Sequence, residues 1–584
     1  MKLTYILEIR EPQTGFCQVT MNVENVSEDT TLITMPAWTP GSYLIRDFSG
    51  NVRLLKARSQ DNETIEIQRK DKSTWRIQNG SNRIFTITYE VYAGNLSVRE
   101  SHVDSTHAYL NGSSVFMYLE GYKDQSVELW IKPYEGWKVS TGLEKSGDNR
   151  YRATNYDILA DSPIEIGTHR SFVFNVEGKE HEIAIYGTGN ENADKIVEDV
   201  KKIVESYREM MTGLPYKRYI FIIHLIQNGG GGLEHLNSCT IEFDKFDFSD
   251  PEKYKGFLHV VSHEFFHAWN VKRIRPVELG PFNYKEETYS TLLWVSEGIT
   301  DFYAHLTLLR AGIYTREDYY KHLSSVIKVY DRTPGTKYES ASDSSFDAWI
   351  KFYKPTANNI NSYVSYYLKG EVLGFMLDSR ICEYTKGARN LDDLYRHLME
   401  KYNRDGRGFT EKDLLSALTD ISGSDFFPFF TKYVKGTETI DFPAELKKIG
   451  LTLEKKHSGE NGSEVPAYMG LIFNSSSNPG NVHAVIENSP AQKAGIYPGD
   501  EIVAIDNFRF STSFTKKFLD ANSRIFVENL YGYKPGQKIS VHVFRRGILM
   551  NFTFPLGMAQ PDAYSIKEIE SDEGKILREK FLQG

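Results

Sequence analysis

The sequence has little cysteine, no long apolar run and no excess of positive charge. Its three cysteines, Cys17, Cys239 and Cys382, are far apart and form no C-x-x-C pair, which argues against a disulfide framework and against a cysteine zinc site. No apolar run approaches the roughly 18 residues of a membrane-spanning helix, so no span is expected. The net charge of −9 over 584 residues argues against a nucleic-acid-binding protein, which usually shows a basic face.

The first residues, MKLTYILEIREP, lack the apolar segment of a signal peptide because Glu8, Arg10 and Glu11 interrupt them. We interpret this stretch as a strand and expect a cytoplasmic protein; a periplasmic location would require a leader that has been removed. Hydrophobic residues make up 40% and charged residues 25% of the chain, as in soluble globular proteins. At roughly 150 residues per domain, the length predicts about four structural units.

The texture of the sequence changes along the chain and predicts a multidomain α+β protein. Residues 1–170 are β-rich, with apolar and polar residues alternating in KLTYILEI and RIFTITYEVYAG. Helical patterns dominate residues 171–445, beginning with the amphipathic NADKIVEDVKKIVESYREMMTG. Residues 446–560 are β-rich again, and we expect the charged tail, residues 561–584, to end in a short helix.

The stretch LHVVSHEFFHAWNVKRIRP places His259, His263 and His267 four residues apart. On a helix each step of four residues rises about 6 Å, so the first and third histidines are about 12 Å apart along the axis. Zinc–nitrogen bonds are only about 2.0–2.1 Å long. One metal ion therefore cannot bind all three histidines of an unbroken helix.

Glu264 selects the second pair of histidines, His263 and His267, because it completes the pattern H-E-x-x-H. In this pattern two histidines bind zinc, and the glutamate acts as general base toward the water that the metal activates. His259 is then expected to pack nearby or to support the site. The alternative interpretation is a helix that merely carries histidines on a polar face.

A catalytic zinc ion needs a third protein ligand and an open fourth position. The stretch LLWVSEGITDFY offers Glu297, with Asp301 four residues later on the same helix face as a partner that orients a ligand. Glu286 and Glu287 are nearer alternatives, but FNYKEETYS resembles the polar start of a helix, where acidic residues favour the helix dipole. We therefore favour Glu297 and expect one Zn²⁺ ion per chain.

These motifs resemble a known family. HEFFH followed by WVSEG is similar to the gluzincin zinc metallopeptidases, particularly aminopeptidase N and its relatives. SHEFFHAWNVKRIRP and PAWTPGSYLIRDFS more closely resemble the glycyl aminopeptidase family, whose members carry a C-terminal PDZ domain. The resemblance spans nearly the whole chain. It implies a β-rich N-terminal domain, a thermolysin-like, mainly α catalytic domain, and a PDZ domain, with boundaries at residues 170, 445 and 560.

The segment GGLEH lies where the aminopeptidases have G-x-M-E-N. The resemblance implies that Glu234 binds the α-ammonium group of the substrate, while Gly231 and Gly232 offer backbone groups to a substrate strand. His235 replaces the asparagine, and its role stays open. Without the resemblance, the glycine run would be interpreted as a flexible loop.

The segment YLKG resembles the Y-x-K-G motif of the same enzymes. The resemblance implies that the hydroxyl of Tyr367 stabilises the tetrahedral oxyanion, as a donor aimed at developing charge. The position of the lysine and glycine selects Tyr367, and Tyr366 is the alternative because tyrosine is frequent in this chain.

Near the C-terminus, NSPAQKAGIYPGDEIVAIDN resembles bacterial protease-associated PDZ domains. In YMGLIF, the backbone amides of Met469, Gly470 and Leu471 would then hold a peptide carboxylate. Such domains bind a peptide by adding it as a strand to a sheet edge. A purely structural lid is the alternative.

The combined prediction is a zinc aminopeptidase that acts on peptides with a free N-terminus. The family implies a preference for Gly or Ala at that position, and the PDZ domain would add a peptide ligand as a second partner. A zinc endopeptidase that captures substrate C-termini is one alternative. A peptide-binding scaffold with an idle metal site is the other, and the full set of ligands, base and tyrosine counts against it.

Overall fold

The computed structural model describes residues 1–403, 406–457, 465–473, 480–511, 515–519, 525–530 and 532–584. These residues form two compact units. Unit 1 consists of Met1–Ser290, Tyr303–Ile313 and Asp392–Ala417. Unit 2 consists of Thr291–Phe302, Tyr314–Leu391 and Leu418–Gly584.

The N-terminal part of unit 1 is built from β-sheets, as predicted. Strands form here because alternate side chains are apolar: in Phe16–Glu24 the buried residues are Cys17, Val19, Met21 and Val23. Three sheets result. The first has eight strands, in the spatial order Glu144–Gly147, Arg150–Ala153, Val127–Lys132, Lys2–Glu8, Phe16–Glu24, Ile84–Tyr92, Val52–Ser59 and Thr64–Ile65. The second has four, in the order Lys138–Thr141, Ile164–Gly167, His107–Leu110 and His102–Val103. The third also has four, in the order Tyr118–Leu119, Thr31–Thr34, Thr74–Ile77 and Ile67–Arg69.

A mixed sheet follows in unit 1 and carries the first part of the candidate site. Its spatial order is Arg170–Val176, Lys179–Tyr186, Arg218–Ile226, Ser238–Asp244 and Gly230–His235. The central strand, Arg218–Ile226, is parallel to both neighbours and is buried along most of its length, as parallel strands usually are. The glycine-rich strand Gly230–His235 lies at the sheet edge.

The predicted amphipathic helix of unit 1 spans Ala193–Met210 and is capped by the Asn192 side chain, which accepts a hydrogen bond from the Lys195 amide. Its apolar face is buried, as the periodicity indicates. The longer helices that contribute to unit 1 are Ala193–Met210, Pro251–Phe266, Ile299–Arg310, Leu391–Tyr402 and Glu411–Ser422; the short ones are Pro12–Thr14, Phe48–Asn51, Gly112–Val115, Tyr156–Ala160, Asp247–Ser249 and Val277–Leu279.

Unit 2 contains helices and the C-terminal strands. Its helices are Trp294–Gly298, Arg316–Asp331, Pro334–Lys337, Ala341–Phe346, Asp347–Trp349, Asn359–Ser362, Tyr366–Tyr384, Phe427–Phe429, Phe430–Val434, Phe442–Lys448, Pro490–Ala494 and Asp572–Gln583. Its described strands form three sheets, and the smallest pairs Leu451–Lys456 with Ala563–Glu568. The second has the spatial order Val482–Val485, Leu471–Phe473, Ile525–Leu530, Ala467–Tyr468 and Gly557–Met558, and Thr515–Leu519 also pairs with Ile525–Leu530. The third has the order Phe508–Arg509, Glu501–Ile505, Lys538–Arg545 and Ile548–Pro555.

One local prediction is wrong. The segment FNYKEETYS, expected to begin a helix, has no helical turn in the structure. Tertiary contacts hold it instead: Tyr284 is buried, its hydroxyl donates to Asp157, and its carbonyl accepts from the Ala37 amide. Burial of one aromatic residue here overrides the weak helical pattern.

Among the described residues, every helix is too short or too polar to cross a membrane.

Candidate active site

The H-E-x-x-H motif lies at the end of the helix Pro251–Phe266, which we call the motif helix. Asp250 caps its start by accepting hydrogen bonds from the amides of Glu252 and Lys253. At the other end His263, Glu264 and His267 are all buried. Burying three polar side chains side by side is costly unless each has a partner, so this end of the helix is a candidate for function.

The two motif histidines are arranged as a pair of metal ligands. Their ring centroids are 4.7 Å apart and their planes are inclined by 78°, and a ring nitrogen of each lies within 4.8 Å of the other. His267 Nδ1 is 2.6 Å from the carbonyl oxygen of Asn270. A carbonyl only accepts, so Nδ1 carries the proton and Nε2 keeps its lone pair for a metal. The donor set therefore fits zinc.

The glycine-rich strand packs directly against Glu264. A Cβ atom at Gly232 would lie 2.3 Å from Glu264 Oε1 and 2.5 Å from its Cδ and Cγ atoms. The missing side chain of Gly232 is thus the space that the glutamate occupies. The sequence predicted only a backbone role for this glycine. Its packing role could not be found because no sequence signal links the strand to the motif helix.

The carboxylate of Glu234, at the end of the same strand, is buried beneath the PGSY segment of the N-terminal domain. A Cβ atom at Gly41 would lie 2.6 Å and 2.8 Å from its two oxygens, and Gly41 has a φ of +87°, which favours glycine. Lys272 Nζ is 3.9 Å from Glu234 Oε1. Two of the segments that carry the family resemblance therefore meet at Glu234.

A buried ion-pair network next to Glu234 gives His235 a structural partner. Asp161 binds Lys272 Nζ at 2.7 Å, His235 Nδ1 at 3.1 Å and the Leu236 amide at 2.9 Å. Burial acts to raise the pKa of Asp161, but Lys272 and His235 together lower it below its ordinary value. The sequence singled out neither Asp161 nor Lys272, because they are 111 residues apart.

His259 lies one helical turn before the motif pair. Its ring stacks on that of His305, with centroids 4.0 Å apart and planes inclined by 18°. Its ring centroid is 6.2 Å from that of His263, farther than the 4.7 Å within the motif pair. This packing is consistent with the supporting role expected for His259.

In unit 2, Glu297 lies within a π-helical turn, Trp294–Gly298, and is buried. Such turns are frequent at functional sites. The next residue, Gly298, touches Gly370 so closely that a Cβ atom on Gly298 would lie 2.3 Å from the Gly370 Cα. The glycines of the WVSEG and YLKG segments therefore allow their two helices to approach. Asp301 follows in the helix Ile299–Arg310 and is partly buried.

The two candidate tyrosines open the helix Tyr366–Tyr384 and differ in exposure. Tyr366 is fully buried, and its hydroxyl has no hydrogen-bond partner within the described residues. Tyr367 is partly exposed. Lys369 anchors this end of the helix by donating to the Glu339 carbonyl at 3.0 Å, and burial lowers its pKa to about 8. Tyr367 is therefore the more accessible of the two side chains.

In the C-terminal domain, Met469 and Gly470 connect the strand Ala467–Tyr468 to the strand Leu471–Phe473, and both strands pair with Ile525–Leu530. Gly470 has a φ of +88°, and a Cβ atom there would lie 2.1 Å from the Ser489 Cβ. The carbonyls of Met469 and Gly470 accept from the amides of Ala491 and Ile486. The strand Leu471–Phe473 pairs with Val482–Val485 on one side and with Ile525–Leu530 on the other. Both edges of this strand are therefore already paired within the described part of the domain.

A helix ending in H-E-x-x-H, packed against a sheet with a glycine-rich edge strand, defines the protein as a candidate metallopeptidase. Comparison with known families agrees. The M61 peptidase N-terminal domain matches residues 4–168, the M61 glycyl aminopeptidase domain matches residues 256–373, and a PDZ domain matches residues 449–556. The chain belongs to the M61 glycyl aminopeptidase family and is a peptidase.

One solved structure shares this fold over nearly the whole chain. An aminopeptidase N family protein from Idiomarina loihiensis shares 27% identity with a TM-score of 0.90, over 98% of this chain and 99% of that one. An M1 zinc metallopeptidase from Deinococcus radiodurans, bound to a Tyr-Ser-Ala substrate, shares 10% identity with a TM-score of 0.47, over 76% of this chain and 95% of that one. A search of curated proteins found no match.

Proposed function

We propose that the protein is a zinc-dependent aminopeptidase in which His263, His267 and Glu297 hold one zinc ion. The observation that carries the proposal is the orientation of His267: its Nδ1–H is held by the Asn270 carbonyl, which leaves Nε2 for a metal. Glu297 is the buried carboxylate of the segment that resembles the third-ligand motif. Bound zinc would supply Lewis-acid polarisation of the scissile carbonyl and would favour deprotonation of the attacking water.

In this proposal Glu264 is the general base. It accepts a proton from the attacking water and then delivers that proton to the leaving amine. Packing against Gly232 limits the positions that its carboxylate can take. Tyr367 donates its hydroxyl proton in a hydrogen bond to the developing oxyanion, and its partial exposure supports this role over Tyr366.

Glu234 anchors the α-ammonium group of the substrate, which places the first peptide bond at the base. A charge-assisted hydrogen bond to a buried carboxylate is strong enough to fix this register. Gly231 and Gly232 offer backbone groups to the extended substrate. A preference for Gly or Ala at the N-terminus is supported by the match to the glycyl aminopeptidase domain.

The C-terminal domain is proposed to bind a peptide through the amides of Met469, Gly470 and Leu471. The close approach of Gly470 to Ser489 supports a fixed conformation of this loop. Because both edges of Leu471–Phe473 are already paired, a peptide strand would have to displace a neighbouring strand, and we expect this binding to be weak. The role of Asp301 is to support the metal site.

The metal assignment is tested by zinc content together with peptidase activity. His267→Ala should bind one equivalent of zinc less than wild type and lose activity, whereas Glu264→Gln should keep the zinc content of wild type and lose activity by about 10²-fold or more, the scale of general base catalysis. His259→Ala is the matched control on the same helix and should keep its zinc. Full zinc occupancy in His267→Ala, with loss in His259→Ala, would assign the ion to the other pair of histidines.

A further inference from the structure

A second group of metal-binding side chains lies in unit 1, away from the motif helix in sequence. The hairpin formed by strands His102–Val103 and His107–Leu110 carries the sequence HVDSTH. His102, Asp104 and His107 each present one donor atom within 4.8 Å of the other two. The ring centroids of the two histidines are 5.2 Å apart, close to the 4.7 Å of His263 and His267.

One ring nitrogen of each hairpin histidine faces a carboxylate: Glu165 orients His107, whereas Asp104 lies beside His102 as a second possible ligand. His107 Nδ1 is 3.1 Å from Glu165 Oε1, and His102 Nε2 is 3.0 Å from Asp104 Oδ2. The opposite nitrogen of His107, Nε2, is buried and has no hydrogen-bond partner within the described part of the chain. A buried ring nitrogen without a partner can bind an ion or a water molecule.

Glu165 is suited to support a histidine that binds a metal. Its two oxygens lie 3.1 Å from His107 Nδ1 and 2.9 Å from His224 Nε2, and its side chain is fully buried. A carboxylate at this distance accepts a hydrogen bond from His107 Nδ1, which leaves Nε2 for a metal. The His107 ring is also stacked on Tyr186, with centroids 3.4 Å apart, which fixes its orientation. A carboxylate behind a histidine in this way is typical of metal sites.

The turn of the hairpin leaves one oxygen of Asp104 for this site. Its Oδ1 accepts from the amides of Thr106 and His107, as in an ordinary Asx turn. Its Oδ2 faces His102 instead. The Asp104 side chain is 42% exposed, so water can complete the coordination of an ion.

We propose that His102, Asp104 and His107 bind a second divalent metal ion of the zinc class, with Glu165 orienting His107. Two imidazoles and a carboxylate suit zinc better than magnesium or calcium, which prefer oxygen ligands. The neighbouring group of His107, Glu165 and His224 is the less suitable site, because all three side chains are fully buried. Both oxygens of Glu165 there already accept hydrogen bonds, and a structural zinc ion needs a fourth ligand.

The test uses the full chain with His263→Ala and His267→Ala, so that the proposed catalytic site cannot bind. After chelation and dialysis, Zn²⁺ is titrated by calorimetry, and Co²⁺ by its visible absorption. We expect one equivalent of either ion to bind. Adding His102→Asn should abolish stoichiometric binding, and adding Glu165→Gln should weaken it by about 10–100-fold, as for loss of an outer carboxylate.

A matched control is His181→Asn, a buried histidine whose ring nitrogen contacts the Tyr216 hydroxyl instead. It should keep the bound ion, and circular dichroism should show that each variant is folded. Absence of stoichiometric binding in the double variant would overturn the proposal. So would loss of binding in His224→Asn but not in His102→Asn. With the motif histidines intact, His102→Asn should retain peptidase activity, so this proposal and the proposed function can fail separately.

Discussion

Gly232→Ala tests whether the glycine-rich strand positions Glu264, the proposed general base. The added Cβ atom would lie 2.3–2.5 Å from three atoms of the Glu264 side chain. Carbon and oxygen atoms that are not bonded need more than 3 Å, so the carboxylate must move by about 1 Å. A misplacement of that size can reduce the rate about 10²-fold, equivalent to about 2.7 kcal/mol of transition-state stabilisation.

Gly230→Ala is the matched control in the same strand. A Cβ atom at Gly230 meets no atom within 4 Å, and its φ lies outside the left-handed region. Gly231 is unsuitable as a control because its φ of +102° strains any side chain. The assay compares kcat, zinc content and thermal stability of the two variants. Equal activity of Gly232→Ala and Gly230→Ala would refute the argument that Gly232 positions Glu264.

Two further predictions concern the oxyanion and the buried ion pair. Tyr367→Phe should reduce kcat by about 10²–10³-fold with little change in KM, and a larger effect of Tyr366→Phe in the same kinetic assay would shift the assignment by one residue. Lys272→Met removes the cation that lowers the pKa of Asp161, so the free energy of unfolding should fall at neutral pH. Asp161 stabilises the fold when it is ionised, at pH values above its ordinary pKa of 3.8. The difference in the free energy of unfolding between wild type and Lys272→Met, measured by urea unfolding, should therefore become smaller below that pH. Lys272→Arg is the control that keeps the charge.

The sequence alone predicts those parts of the protein that depend on local patterns. Alternating apolar residues predict the N-terminal strands, and helical periodicity predicts Ala193–Met210, because each pattern is repeated over several turns or pairs. The H-E-x-x-H spacing likewise predicts a histidine pair on one helix. These features require no knowledge of distant contacts.

Features that depend on contacts between distant segments could not be predicted. Nothing in the sequence places Gly41 over Glu234 or joins Asp161 to Lys272, because each pair is separated by more than a hundred residues. The expected helix at FNYKEETYS fails for the same reason: the burial of Tyr284 is a tertiary contact. Local preference is a weak guide wherever one large side chain is drawn into a core.

The account as a whole depends on Glu234 acting as the anchor of a free N-terminus. The most direct test measures cleavage of one Gly-initiated and one Ala-initiated peptide, each free and acetylated, by wild type and by Glu234→Ala. Acetylation removes the positive charge that the buried carboxylate would bind. We predict that wild type cleaves the free peptides far better than the acetylated ones and that Glu234→Ala loses this preference, with KM raised and kcat lowered together. Equal cleavage of free and acetylated peptides by wild type, or internal cuts in a longer chain, would contradict the account and indicate an endopeptidase.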